Sequence, residues 1–433
     1  MPPRLPSLLA APPAAEGRLW LTGARLFDGT DAGVRDAAGV LVEDGRIERV
    51  GASSDPIPEG ARVIDLAGRT LMPGLVDAHV HLKSEAIAPD PGSEPPWPGT
   101  SKHFVASGLR DMLRMGFTTV RDVGSYGDDV VEARQAMRYG AFRGPRVLTC
   151  GRIVSATGPG GRFFDGMYRE ADGPDDVRRA VREQLRRGAD FIKVMTTGAR
   201  SVELEDPDPA QLTAGEIAAL VDESHRMGYR VAAHAEGIAG TELAIELGID
   251  TIEHGMYLHQ RPDLLERMAR SGQILVPTLS CLYGVAGSTD GAAPAETWSP
   301  LLVELAEYNL EQADRTLRAA RAAGVRIAMG YDWSPLGENA IEIVRMVHHG
   351  LSSREALIAA TATAGDALGL GGQIGTIEPG KLADLLVVDG DPLGDCELLL
   401  RRERIWLVVQ LGQLVAGAAL ERELPVSTPV ATA

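Results

Sequence analysis

From Pro73 to about Gly372 the chain alternates short apolar runs with helical segments, and this alternation limits the fold more than any other feature of the sequence. The apolar runs are Leu75–Leu82, Phe117–Asp122, Arg146–Val154, Phe191–Thr196, Arg230–Ala235, Thr251–His254, Ile274–Thr278 and Arg326–Asp332. Helical patterns fall between them at Asp175–Arg187, Ala214–Met227, Thr241–Leu247 and Leu301–Ala323. A helix returning the chain after each strand makes successive strands parallel. Eight such units predict an α/β fold, a closed (β/α)₈ TIM barrel spanning residues 73–372. Chemistry in such a barrel lies at the C-terminal strand ends.

The two chain ends read differently. Leu19 to Ile64 is strand-rich, and Asp44-Gly45 marks a hairpin turn within it. Ala383–Asp389 and Ile405–Val415 also alternate or run apolar as strands do. Residues 18–72 and 373–425 are therefore expected to form one small β-sandwich domain from both termini. Residues 1–17, rich in Pro and Ala, read as a disordered tail. Long loops are expected at Lys83–Thr100, Ser155–Pro174, Thr197–Leu212 and Ser280–Pro300.

Composition narrows the partners. A net charge of −17 argues against nucleic acid or an anionic membrane and leaves a small-molecule substrate. No apolar run reaches membrane-spanning length. The three cysteines are too scattered for a disulfide framework or a thiolate zinc site, so a reducing cytoplasm is expected. A homo-oligomer is also expected.

The candidate site comes from asking which polar residues end the predicted strands. His79 and His81 lie two apart in Leu71-Met-Pro-Gly-Leu-Val-Asp-Ala-His-Val-His-Leu82, so they project to one side of a strand. Lys193 lies on the fourth strand, His234 ends the fifth, His254 the sixth and Asp332 the eighth. Singly, His234 fits a core histidine, Lys193 a solvated lysine and Asp332 a helix cap. Together they bring four imidazoles, a carboxylate and an amine to one mouth, the donor set of a metal centre. His103, His225, His259, His348 and His349 receive no role.

These motifs resemble the amidohydrolase superfamily, in its imidazolonepropionase-like and Xaa-Pro dipeptidase-like branch. The resemblance rests on Pro73-Gly-Leu-Val-Asp-Ala-His-Val-His81, Gly116-Phe-Thr-Thr-Val-Arg-Asp122, Lys193-Val-Met, Ala233-His-Ala-Glu-Gly237, Ile252-Glu-His-Gly255, Pro277-Thr-Leu279 and Gly375-Thr-Ile-Glu-Pro-Gly-Lys-Leu-Ala-Asp-Leu385. It implies two divalent metal ions, zinc being the usual choice. His79, His81 and Asp332 would hold the first, His234 and His254 the second, and an N-carboxylated Lys193 would bridge them. It implies hydrolysis of an amide bond in an N-acyl amino acid, dipeptide or related carboxamide by a metal-bridging hydroxide, with Asp332 as the catalytic proton carrier. A phosphotriester, carbamate or lactone hydrolase on the same centre is the alternative, and a non-catalytic relative a more distant one.

Two departures bear on substrate. Thr157-Gly-Pro-Gly-Gly161 puts Gly160 where dipeptidase relatives have a histidine, and Arg162 beside it could take over that role. Tyr331 and Trp333 flank Asp332 where relatives have small residues. Trp333, with Tyr257, Tyr283 and Trp298, is expected to wall the substrate pocket.

Overall fold

The computed structural model describes residues 17–83, 99–202, 204–287 and 299–421. The expected tail, Trp298 and most of the loops expected at 83–100 and 280–300 lie outside these residues, although the latter opens with a helix, Leu279–Ala286.

The strands run, in chain order, β1 (Arg18–Phe27), β2 (Val34–Glu43), β3 (Arg46–Ala52), β4 (Arg62–Asp65), β5 (Thr70–Pro73), β6 (Leu75–Val80), β7 (Phe117–Asp122), β8 (Arg146–Thr149), β9 (Ile153–Ser155), β10 (Tyr168–Glu170), β11 (Ile192–Met195), β12 (Val231–Ala235), β13 (Thr251–His254), β14 (Ile274–Val276), β15 (Arg326–Ile327), β16 (Leu385–Val388), β17 (Ile405–Gln410) and β18 (Gln413–Ala416). Strands from both chain ends share one sheet, ordered β18-β17-β16-β5-β1-β2-β3 with β4 beside β1. The β2–β3 hairpin turns on Asp44 and Gly45, at φ 48° and 78°. Positive φ at both central residues matches the right-handed strand twist, which is why Asp-Gly stands there.

Between these ends the strands are parallel and fall into two sheets, β6-β7-β8 and β10-β9-β11-β12-β13-β14-β15. The expected strand Arg146–Val154 is broken into β8 and β9. At the break Gly151 takes φ 70° and the Arg152 N–H donates to Gln184 Oε1 at 2.9 Å, so the chain leaves β7 and reaches β11. The expected loop 155–174 holds a short helix, Pro159–Phe163, and β10. The expected eighth strand shrinks to Arg326–Ile327. The segment after it still bonds to β6, with Ala78 N–H on Met329 O at 3.0 Å and Asp332 N–H on His79 O at 2.9 Å. Gly330 permits this approach, since a Cβ there would sit 2.6 Å from the His79 Cβ.

Helices Pro174–Arg186, Ala214–Arg226, Ile238–Glu246 and Pro300–Ala322 cover the parallel strands, close to the expected ranges. Ala214–Arg226 opens with a reciprocal Thr213–Glu216 capping box, which satisfies N–H groups the first turn would leave bare. Beneath the helices lie Ile192, Val194, Val231, Ile252 and Leu275, all essentially sealed from water. No helix among the described residues is long and apolar enough to cross a membrane.

Candidate metal centre

All six expected ligands line one cavity of about 490 Å³ at the C-terminal strand ends: His79, His81, Lys193, His234, His254 and Asp332. The imidazole rings are neighbours, with centroids 5.5 Å apart for His79–His81, 5.3 Å for His79–His254 and 4.5 Å for His234–His254. Asp332 Oδ1 lies 3.5 Å from His79 Nε2 and 3.4 Å from His81 Nε2. Ligands about 2.1 Å from one ion in a tetrahedral arrangement stand about 3.4 Å apart, so this spacing suits a shared metal. His79, His254 and Asp332 each offer a donor atom within 4.8 Å of the others.

Hydrogen bonds fix which ring nitrogen faces inward. His79 Nδ1–H donates to Glu253 Oε2 at 2.7 Å and His81 Nδ1–H to Gly124 O at 2.5 Å, leaving both Nε2 lone pairs for a cation. Thr278 Oγ1 spends its proton on Pro277 O, so at 2.6 Å it accepts from His254 Nδ1–H and again frees Nε2. His234 donates Nε2–H to Gly198 O at 3.2 Å, which frees Nδ1 instead. Burial lowers the pKa of His81 to about 4, and those of His79 and His254 well below the ordinary value. Neutral imidazoles are the form that ligates.

Lys193 is 1% exposed, and its Nζ has no hydrogen-bond partner among the described residues. Burial lowers its pKa, and burial raises that of the Asp332 carboxyl against the opposing pull of Lys193. An orphaned buried amine is costly, and its presence beside four histidines fits a site completed by other atoms.

The backbone is strained around this mouth. His254 at the end of β13, Thr278 just after β14 and Asp332 in the segment after β15 take φ 69°, 49° and 48°, a left-handed region costly for residues with a Cβ. At His254 the turn breaks strand alternation, so that Glu253 and His254 both serve the site.

Sequence reasoning missed a buried chain behind His79. Arg121 donates Nη2–H to Glu253 Oε1 at 2.8 Å and Nη1–H to Thr251 Oγ1 at 3.1 Å, while Glu253 holds His79. Both residues stand inside motifs already singled out, and a charged pair inside two apolar strand runs was the available signal. Asp77, part of the first motif, was given no role of its own. It accepts from His79 N–H, Tyr331 N–H and Asn339 Nδ2–H, tying β6 to the segment after β15, and burial lifts its pKa to about 7.

Of the expected pocket residues, Trp333 lines the cavity, packed so closely on Gly284 that a Cβ there would lie 2.0 Å from its ring. Three others do not line it. Arg162 is exposed on its short helix. Tyr257 turns its hydroxyl to Asn309 Oδ1 at 2.6 Å, and Tyr283 pairs its own with His349 Nε2 at 2.9 Å. Tyr331 is buried in the core. Phe164, Tyr168, Met195, Leu282 and Arg200, none of them given a role from the sequence, complete much of the wall.

Parallel strands that present histidines, a lysine and an aspartate from their C-terminal ends define a hydrolase class built around a metal site. The chain belongs to the amidohydrolase family, whose pattern matches residues 70–415. It is an enzyme, a hydrolase of amide or peptide carbon–nitrogen bonds. It is 30% identical to ochratoxinase of Aspergillus niger over 449 residues, covering 96% of this chain and 90% of that protein. It is 28% identical to imidazolonepropionase of Acidiphilium cryptum, covering 87% of this chain and 94% of that one. Among solved structures, a Xaa-Pro dipeptidase with methionine bound in its active site superposes with a TM-score of 0.82 at 29% identity, over 93% of this chain and all of that one.

Proposed function

We propose that the protein is a binuclear amidohydrolase cleaving the amide bond of an N-acyl amino acid, a dipeptide or a related carboxamide. The observation that carries this reading is the buried amine of Lys193, without a hydrogen-bond partner among the described residues, beside four histidines and Asp332. Desolvation favours its neutral form, which adds to CO₂ with loss of a proton and becomes a carbamate. That group offers two anionic oxygens where the bare amine offers one lone pair. His79, His81 and Asp332 would hold one ion, His234 and His254 the other, with the Lys193 carbamate between. Two divalent ions held there, zinc in the usual case, would supply a water of pKa about 7 and a Lewis acid for a carbonyl. Asp332 takes the proton of the attacking water and delivers it to the leaving nitrogen. Glu253 and the Gly124 carbonyl hold His79 and His81 in the ligating tautomer.

The same reading joins the two parallel sheets into one closed eight-stranded barrel over residues 73–372. The bonds from β6 to Met329 and Asp332 support closure on one side, and the short step from β8 to β9 on the other. Residues 18–72 with 373–425 would then fold over Leu21, Val40, Leu71, Leu385 and Leu407 as a small sandwich. The apolar wall, with Trp333 in it, suits a bulky or aromatic acyl group. The dipeptidase structure holding methionine is consistent with an amino-acid product.

Metal analysis of the purified protein, followed by a panel of dipeptides, N-acyl amino acids, organophosphates, carbamates and lactones, tests the proposal. Two metal equivalents, amide turnover, and reactivation of the metal-stripped protein by zinc that requires bicarbonate are expected. Lys193→Met should cost at least about 10²-fold in kcat/KM, since even residues behind the ligands cost that much. Turnover of organophosphates without amides would remove the reading.

A further inference from the structure

We propose that Arg200 anchors the free carboxylate of the substrate's amino-acid half. This rests on the amide-hydrolase reading above and specifies what the leaving group must carry. Among the described residues lining the cavity, the permanently cationic side chain outside the metal centre is Arg200. An apolar chamber with one fixed guanidinium on its wall selects a ligand that is mostly apolar and singly anionic.

The guanidinium is held ready. Arg200 follows β11, and the loop before it is clamped by Glu205, which accepts from Ala199 N–H at 2.9 Å and from Gly160 N–H at 2.7 Å. Arg200 Nη2–H donates to Asp208 Oδ1 at 2.8 Å, and Cζ lies 5.0 Å from the centre of the Tyr257 ring. Its side chain is 15% exposed. Its Nε lies 3.3 Å from Glu236 Oε2, off the hydrogen-bonding line, and is buried without an acceptor among the described residues. A buried guanidinium N–H left unaccepted is unusual, and an arriving carboxylate corrects it. The competing Asp208 side chain is 73% exposed, so solvent already screens that pair and its release costs little.

The position fits an α-carboxylate. Glu236 spans the two sites, with Oε1 3.3 Å from His234 Nε2 and Oε2 3.3 Å from Arg200 Nε. The Glu236 carboxylate and the His234 ring therefore link the guanidinium to the metal centre. Arg200 and the metal-centre histidines line the same cavity, so a ligand seated there can meet both. Glu236 also disfavours a second negative charge on the ligand, so N-acyl aspartates and glutamates are poor substrates.

The test follows benzoate release from N-benzoyl-L-phenylalanine and from its C-terminal carboxamide, with the metal-loaded full chain, Arg200→Met and Asp208→Asn. The unaltered enzyme should prefer the acid by about 10²-fold in kcat/KM, the scale of a desolvated charge pair. Arg200→Met should erase that preference, with the loss on the acid exceeding the loss on the carboxamide by about 10²-fold and falling mainly on KM. Asp208→Asn should lower KM for the acid a few-fold and leave the carboxamide alone. Equal use of acid and carboxamide by the unaltered enzyme overturns the proposal, as does an equal loss on both in Arg200→Met. Cleavage of neither compound overturns this proposal, and the amide-hydrolase reading falls with it only if the dipeptides and other N-acyl amino acids of the wider panel are also left intact. Should Arg200→Met fail to fold, the acid preference and the Asp208→Asn shift decide the matter.

Discussion

Glu253 has its carboxyl shared between a guanidinium on one side and an imidazole that faces the cavity on the other. Sealed from water, it is acceptable only because both oxygens are bonded. Glu253→Gln keeps the shape and removes the charge that makes His79 Nε2 a better donor. Metal affinity should fall about 10- to 100-fold, with activity restored by excess metal. Direct titration of apoprotein with zinc checks this, and unchanged affinity would deny Glu253 that role. Trp333 gives a second prediction at this scale. Because it packs on Gly284, Trp333→Ala should lower kcat/KM for bulky N-acyl substrates about tenfold more than for small ones, as expected when one aromatic contact of about 1.4 kcal/mol is lost. Equal losses across acyl sizes would dismiss the wall. Single residues were legible in the sequence where a strand end and a ligand type coincided, as at His79, His234 and Asp332. Arg200 was not, because nothing local distinguishes a loop arginine facing a cavity from one facing solvent.

Between elements, helices Pro174–Arg186 and Ala214–Arg226 are joined through Glu223. Its carboxyl accepts from Arg182 Nε and Nη2 at 2.9 and 3.1 Å and from Arg226 Nη2 at 2.7 Å. The Arg182 hydrogen bonds, with Arg226 adding to them, hold its pKa down at about 2, against 4.5 for a free glutamate. A depressed folded pKa stabilises above the unfolded value, and that contribution is lost as pH falls from about 4.5 through about 2. Both arginine side chains are largely exposed, which limits the effect at neutral pH to about 1 kcal/mol. Glu223→Gln should therefore lower Tm at pH 7, with the two proteins converging as pH approaches 2. Thermal unfolding across that range checks it, and a pH-independent gap would contradict it. At this scale four helices were readable from apolar periodicity, while Thr100–Arg114, Asp129–Arg138, Pro262–Ser271 and Ile341–His348 were not. The break between β8 and β9 was not, because a turn at Gly151 inside an apolar run looks like continuous strand.

Over the whole molecule, four imidazoles, a lysine and a carboxylate are gathered at the mouth of the parallel strands from distant parts of the chain. A ligand that binds only the folded arrangement stabilises it by about 4 kcal/mol at a thousandfold excess over Kd. Exhaustive chelation should therefore abolish hydrolysis and lower Tm, and zinc with bicarbonate should restore both. Full activity after chelation would undo the metal-dependent mechanism.

The α/β class, the sheet shared by both chain ends and the six ligand candidates were fixed by local chemistry: periodicity, turn residues, and histidines, lysine and aspartate at strand ends. Such signals act over a few residues and survive in one dimension. The Arg121–Glu253–His79 chain, the choice of ring nitrogen and the facing of Arg200 into the cavity belong to the tertiary structure. Each depends on which groups remote in sequence meet once water is excluded, and burial sets both the pairing and the charge state only after the strands have come together.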